Sequence, residues 1–284
     1  MNFSELDWVS VLLRMLVYVA TIAVAGGVFV RATLGMQQVA GTINRQIVFG
    51  AILLLVCEPL RYLTFQLSIA QGDWAMAFDP AMRWMGVETP LGQAAGVRLL
   101  GTLVVVTGFI WRPLAVVGAL VVVGAYLLEG HTLSDDSRVP LAALLFVHLV
   151  VVHWWIGALL PLRSALAVMD TQTAASTVER FGRIAVVGVG VLFVAGTILL
   201  ATLTGWQLVP TQAYQQGFAL KLLAFIAILL VAAVNKLRWT PKLATNPDYG
   251  RSGLRTWLTI ETIIAATVLA ATAAAISFAP KPDL

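Results

Sequence analysis

The side chains best equipped for chemistry in this 284-residue chain sit where water is scarce. Two of the three histidines, His148 and His153, lie in the apolar run LFVHLVVVHWWIGALLPLR, and the third, His131, follows the apolar run before it. Imidazole inside a segment of membrane-spanning length is costly, and is by default a functional-site hypothesis. Imidazole, thioether and thiolate are together the ligands of soft and borderline transition metals. Thioethers stand at Met76, Met82 and Met85, interleaved with Trp74 and Trp84, and the one thiol, Cys57, precedes Glu58 and Pro59. Four cations, Arg14, Arg61, Arg98 and Lys221, and one further acid, Glu261, also fall inside apolar runs.

The elements that must position these groups are read from composition. The chain is 60% hydrophobic and 11% charged, so its repeated apolar runs are transmembrane helices rather than the core of a water-soluble globule. The fold class expected is all-α, a polytopic membrane bundle of about eight spans, over 8–30, 45–67, 90–111, 113–129, 140–162, 181–203, 215–237 and 254–278. Pro90, Pro113 and Pro140 sit at first turns, where a helix tolerates proline best. The chain reads as one transmembrane domain, with a weak four-plus-four repeat over 1–135 and 136–284 suggested by PLGQAAGVRLL and AYQQGFALKLL. The acidic start MNFSELDW lacks a basic leader, so the first run is expected to be retained. Loops after spans one, three, five and seven hold eleven basic residues against three on the opposite side, which places both termini outside.

A net charge of +4 spread over loops carries no nucleic-acid signal, and a single cysteine excludes an internal disulfide framework or a CxxC site. The lipid bilayer is the partner the composition demands.

By helical rise, Arg14, Arg61, Arg98, Lys221, Glu58 and His148 gather in the outer third of the membrane, His148 about 12 Å below the start of its span. The plain explanation of Glu58 is an intrahelical pair with Arg61, three residues on. Arg98 and Lys221 read as structural partners of Glu58, Glu129 or loop acids, or as gating charges. His153 follows His148 by five residues, about 140° around the helix, so the two cannot share a face. It is expected to pack against another helix or to lie deeper on the same pathway. Glu261 is expected near the inner end of the last span, paired with a basic residue of the cytoplasmic loops. Trp155 and Gly157 read as helix packing, the glycine admitting a close neighbour.

Gly130-His131 and the span-five pattern His148, Trp155, Gly157 resemble the copper-resistance protein D (CopD-like) family of bacterial inner-membrane proteins. The pattern continues through Asp79-Pro80, Thr89, Gly92 and Arg98, through Phe181, Gly196, Tyr214, Gly217, Lys221 and Asn235, and through Arg255 and Glu261. The resemblance implies copper uptake across the inner membrane, copper as the ion handled, and a periplasmic CopC-like protein as partner. It favours His131 and His148 as metal ligands, while side-chain chemistry alone makes Met76, Met82, Met85, Cys57, Glu58 and His153 weaker candidates. His153 and Cys57-Glu58-Pro59 have no counterpart in the pattern. No enzymatic activity is expected. The rival expectations are a haem-binding cytochrome with one bis-His haem, a copper sensor or assembly protein that moves no ion, and an anion carrier using Arg14, Arg98 and Lys221.

Overall fold

A computed structural model describes residues 5–108, 111–129, 138–204 and 213–277. Within them the long elements are helical, and six helices are long and apolar enough to cross a membrane: Asp7–Leu34, Gln37–Ile69, Pro90–Thr107, Val139–Val168, Thr171–Ile198 and Pro247–Ala274. Two further apolar helical segments, Arg112–Leu128 and Ala213–Val234, occupy the places of the fourth and seventh expected spans.

Local chemistry sets the boundaries. The first span is α1 (Glu5–Thr21) and α2 (Gly27–Leu34) joined by a buried π-helical turn at Ile22–Gly26. It ends at Gly35, whose φ of 62° is the left-handed conformation that glycine adopts without strain. Helix α3 (Ala40–Ile69) carries Pro59 inside it and begins five residues before the expected span. Two short helices follow, α4 (Trp74–Ala77) and α5 (Pro80–Glu88), capped by Asp73 and Asp79. Helix α6 (Pro90–Thr107) starts at a Thr89 cap and stops before the expected end at Trp111. After it come α7 (Arg112–Gly124), continued by a 3₁₀ turn at Ala125–Leu128, and α8 (Arg138–Val168).

Helix α9 (Thr171–Thr204) begins ten residues before its expected span. Asp170 accepts the Thr173 N–H at 2.9 Å, and that bond holds its exposed carboxyl below the usual carboxylate range. Helix α10 (Ala213–Val234) ends in a second π-helical turn, Asn235–Trp239, followed by α11 (Lys242–Thr245) and α12 (Pro247–Ser277). Arg251 of α12 donates to the carbonyl oxygens of Leu166 (2.7 Å) and Met169 (2.8 Å), satisfying groups that the end of α8 leaves without helical partners.

The bundle turns large apolar side chains outward. Phe49, Ile52, Val187, Phe193 and Ile263 are each more than half exposed, a surface suited to lipid and unsuited to water. The interior instead collects small residues and the costly polar ones, with Glu58, Arg98, Thr21, Glu261 and His153 all buried. At the centre Gly26 of the first π-turn lies against Gly157 of α8. A Cβ on Gly26 would meet the His153 carbonyl oxygen at 2.2 Å and the Gly157 Cα at 2.9 Å.

Overpacking at such a backbone crossing costs about 1–3 kcal/mol or more. Gly26→Ala is therefore expected to lower the thermal midpoint, followed by tryptophan fluorescence in detergent. Gly41→Ala, whose Cβ would meet nothing within 4 Å, should leave it unchanged or slightly raised.

Candidate functional site

Four charged side chains from three helical segments close on one another. Glu58 and Arg61 come from successive turns of α3, Arg98 from α6, and Glu129 from the residue after the 3₁₀ turn. Arg61 makes a two-pronged contact with Glu129, Nη1 to Oε1 and Nη2 to Oε2, each at 2.9 Å. Arg98 donates from Nε to Glu58 and from Nη2 to Glu129. Its guanidinium carbon also lies 5.0 Å from the centre of the Tyr126 ring.

The intrahelical pairing expected for Glu58 is present, and a closer partner is added to it. Arg61 approaches Glu58 only to 3.8 Å, and the closer partner of Glu58 is Arg98 on the neighbouring helix. Arg61 stays at the longer distance because its guanidinium fork is turned to Glu129, with which it makes the two-pronged contact. Arg98 thus meets the two acids offered to it by sequence, and bridges α3 to the end of the α7 segment.

A chain of neutral groups continues from Tyr126. Its hydroxyl lies 2.8 Å from Thr21 Oγ1, and Thr21 Oγ1 lies 3.3 Å from His153 Nε2. His153 Nδ1 is 2.7 Å from the Leu149 carbonyl oxygen, which fixes the proton on Nδ1 and leaves Nε2 an acceptor facing the Thr21 hydroxyl, whose single proton also has the Tyr18 carbonyl oxygen within reach at 3.0 Å. His153 packs against another helix, as expected, and the contact joins it to the polar layer. It does point away from the His148 face, but α8 is enclosed on several sides, and the new face looks onto the first helix at Thr21. Both ring nitrogens of His153 are engaged, so a metal would have to displace Thr21. His148 is half-buried on its own side of α8.

Glu261 forms a second polar centre. It lies roughly 21 Å from the first residue of α12 by helical rise, the helix beginning with polar turns over 247–253 ahead of its apolar stretch. Its expected basic partner is absent among the described residues. Trp155 Nε1 donates to Oε1 at 2.8 Å and Asn235 Nδ2 donates to Oε2 at 3.1 Å. Trp155 is thus a donor as well as a packing residue, while Gly157 meets Gly26 and its carbonyl oxygen accepts from Gln46 Nε2 at 3.1 Å.

The candidates between α3 and α6 belong to neither centre. Met76 and Met85 are exposed and Met82 is half-buried, while the carboxylates of Asp73 and Asp79 are occupied as helix caps. Cys57 is buried. Among the described residues no three of His, Cys, Asp and Glu come together as a group able to hold a metal ion. His131 lies outside the described residues, as does the side chain of Lys221.

Sequence reasoning passed over Thr21 and Tyr126. The available signal was a threonine inside a long apolar run and a tyrosine three residues before an acid at a span end.

Apolar helices of spanning length, lipid-facing hydrophobic side chains and ion pairs kept inside define a multi-pass membrane protein. Two family models match the chain: copper resistance protein D-like, N-terminal domain, over residues 5–137, and copper resistance protein D over residues 175–275. The chain belongs to the copper resistance protein D family. Searches of curated proteins and of solved structures gave no match.

The ion network makes a test of its own. Removing one partner of a buried pair costs about 3–5 kcal/mol, because the other charge stays buried without compensation. Arg98→Met alone is expected to destabilise the protein by that order in thermal or denaturant unfolding. The double variant Arg98→Met/Glu58→Gln should recover much of the loss, since Arg61 and Glu129 still neutralise each other. A double variant no more stable than the single one would show that the pairing carries no such energy.

Proposed function

We propose that this protein carries copper across the bacterial inner membrane toward the cytoplasm, as an eight-span bundle with both termini outside. Membership of the copper resistance protein D family is the observation that carries the reading, and it supports a role in copper handling. Copper is here the cargo. His131 and His148 are its first imidazole ligands, and the exposed thioethers of Met76 and Met85 serve as a collecting surface for the reduced ion beside acidic caps.

In this reading the Arg98–Glu58–Glu129–Arg61 network is scaffold rather than ligand. Its acids are occupied by guanidinium groups, which would oppose a cation at the same spot. Its work is to fix α3, α6 and the end of the α7 segment around the entry. A periplasmic copper-binding protein of the CopC-like type is the partner that would deliver the ion. Asp73, Asp79 and Glu88 give the outer surface the negative charge that steers a cation, or a basic donor protein, toward it.

Cells expressing the protein should accumulate several-fold more copper than cells carrying the empty vector, measured by elemental analysis of washed cells. His148→Ala should remove the gain at unchanged expression. Accumulation indifferent to both manipulations would sink the transport reading. Metal analysis of the purified protein beside His131→Ala and His148→Ala would then decide whether binding without transport survives.

A further inference from the structure

Glu261 presents an electrostatic problem that the copper reading does not use. The residue is 2% exposed, near the middle of α12, and accepts one N–H on each carboxylate oxygen, from Trp155 and from Asn235. Both donors are neutral. A carboxylate buried without a counter-charge is costly in protein and more so in a bilayer.

The described cations on surrounding elements are turned elsewhere; the side chain of Lys221 on α10 lies outside the described residues. Arg163 of α8 donates to Thr259 at 3.1 Å, and Arg251 of α12 is held by the carbonyl oxygens at the end of α8. Arg238 and Lys242 stack on the Trp239 ring, and Lys236 and Arg255 are exposed. Arg14 of the first helix interacts with Arg61, Glu129 and Arg98. The nearest histidine in sequence to Trp155, His153, is bonded to Leu149 and Thr21.

A second observation lies beside the carboxyl. Asn235 is 8% exposed, and its Oδ1 is buried with no hydrogen-bond partner, although the same amide already touches Glu261 through Nδ2. A buried acceptor left open costs about 1–3 kcal/mol. One added proton removes the charge: with the proton on Oε2 and the Asn235 amide turned by about 180°, the acid O–H donates to Oδ1 and Nδ2 takes the open position that Oδ1 leaves. Amide orientation follows the hydrogen-bond network, so the two orientations describe the two protonation states. A sodium or potassium ion would require several more oxygen ligands than one carboxyl and one amide provide.

We propose that Glu261, Asn235 and Trp155 form a proton-binding site in the membrane interior. Its charged state is the arrangement with two neutral N–H donors, and its loaded state is the acid hydrogen-bonded to Asn235. The site joins α8, α12 and the π-turn that ends α10, so taking up or releasing a proton changes a bond that ties three helical segments together. This gives the bundle a proton-dependent element, resting on the membrane reading and independent of which ion is carried.

The test is infrared difference spectroscopy of the full-length protein in liposomes, titrated with acid. A protonated-carboxyl C=O band should appear in the wild type and be missing from Glu261→Gln. The amide introduced by Glu261→Gln can itself donate to Asn235 Oδ1, so this variant should fold. Trp155→Phe removes a donor that stabilises the charged form, and should move the band's midpoint upward by about one pH unit. The proposal is overturned if the band is unaltered in Glu261→Gln, if no band titrates, or if added sodium or potassium ions abolish it, the last result assigning the site to a metal cation. The band reports on Glu261 whether or not copper moves. Its loss would leave the transport reading standing, and a failed uptake assay would leave the band.

Discussion

The rest of the bundle depends on charge neutralisation away from water. Glu58 and Arg98 are fully buried in helices whose outer surfaces are built for lipid, where an isolated charge has nowhere to go. Two acids and two guanidinium groups, contributed by α3, α6 and the end of the α7 segment, cancel one another at contact distance. The pairing works as a constraint on arrangement: those segments can associate in few other ways without stranding a charge. Apolar side chains alone would not specify this, because lipid solvates them as well as neighbouring helices do.

Around that constraint the packing is done by small residues. The Gly26–Gly157 crossing lets the first helix and α8 approach at backbone distance, and the π-turn at Ile22–Gly26 sets Thr21 beside His153. The α6–α7 contact uses the same device, Gly101 meeting the backbone at Gly118 and Val122. Close backbone approach and hydrogen bonding are what membrane helices have in place of a hydrophobic drive to associate. The two polar centres sit on different sides of α8, one reached through His153 and the other through Trp155, so this helix is the strut between them.

The chemistry divides accordingly. Arginine-bound acids are poor ligands for a metal ion, and His153 has both nitrogens engaged. His148 lies half-buried on the face of α8 turned away from His153, and in the transport reading it is the imidazole that meets cargo in passing. Glu261 is held by two neutral donors, and on it the proposed proton site turns.

Membrane residence, the sites of the apolar helices and the presence of costly residues inside them follow from the sequence alone, because hydropathy over about 20 residues is a local property. Helix starts differ from those expected by several residues in α3, α9 and α12, since polar turns extend these helices beyond their apolar stretches. The periodicity of α8 separates His148 from His153 by about 140°, yet says nothing of what occupies the second face. Only the tertiary structure decided that Thr21 and Tyr126 are there, that Arg98 lies closer to Glu58 than Arg61 does, and that Glu261 rests on an indole and an amide in place of a cation. The physical reason is the same throughout: rise and rotation fix where a side chain starts, whereas its partner is chosen by the packing of helices far apart in the chain.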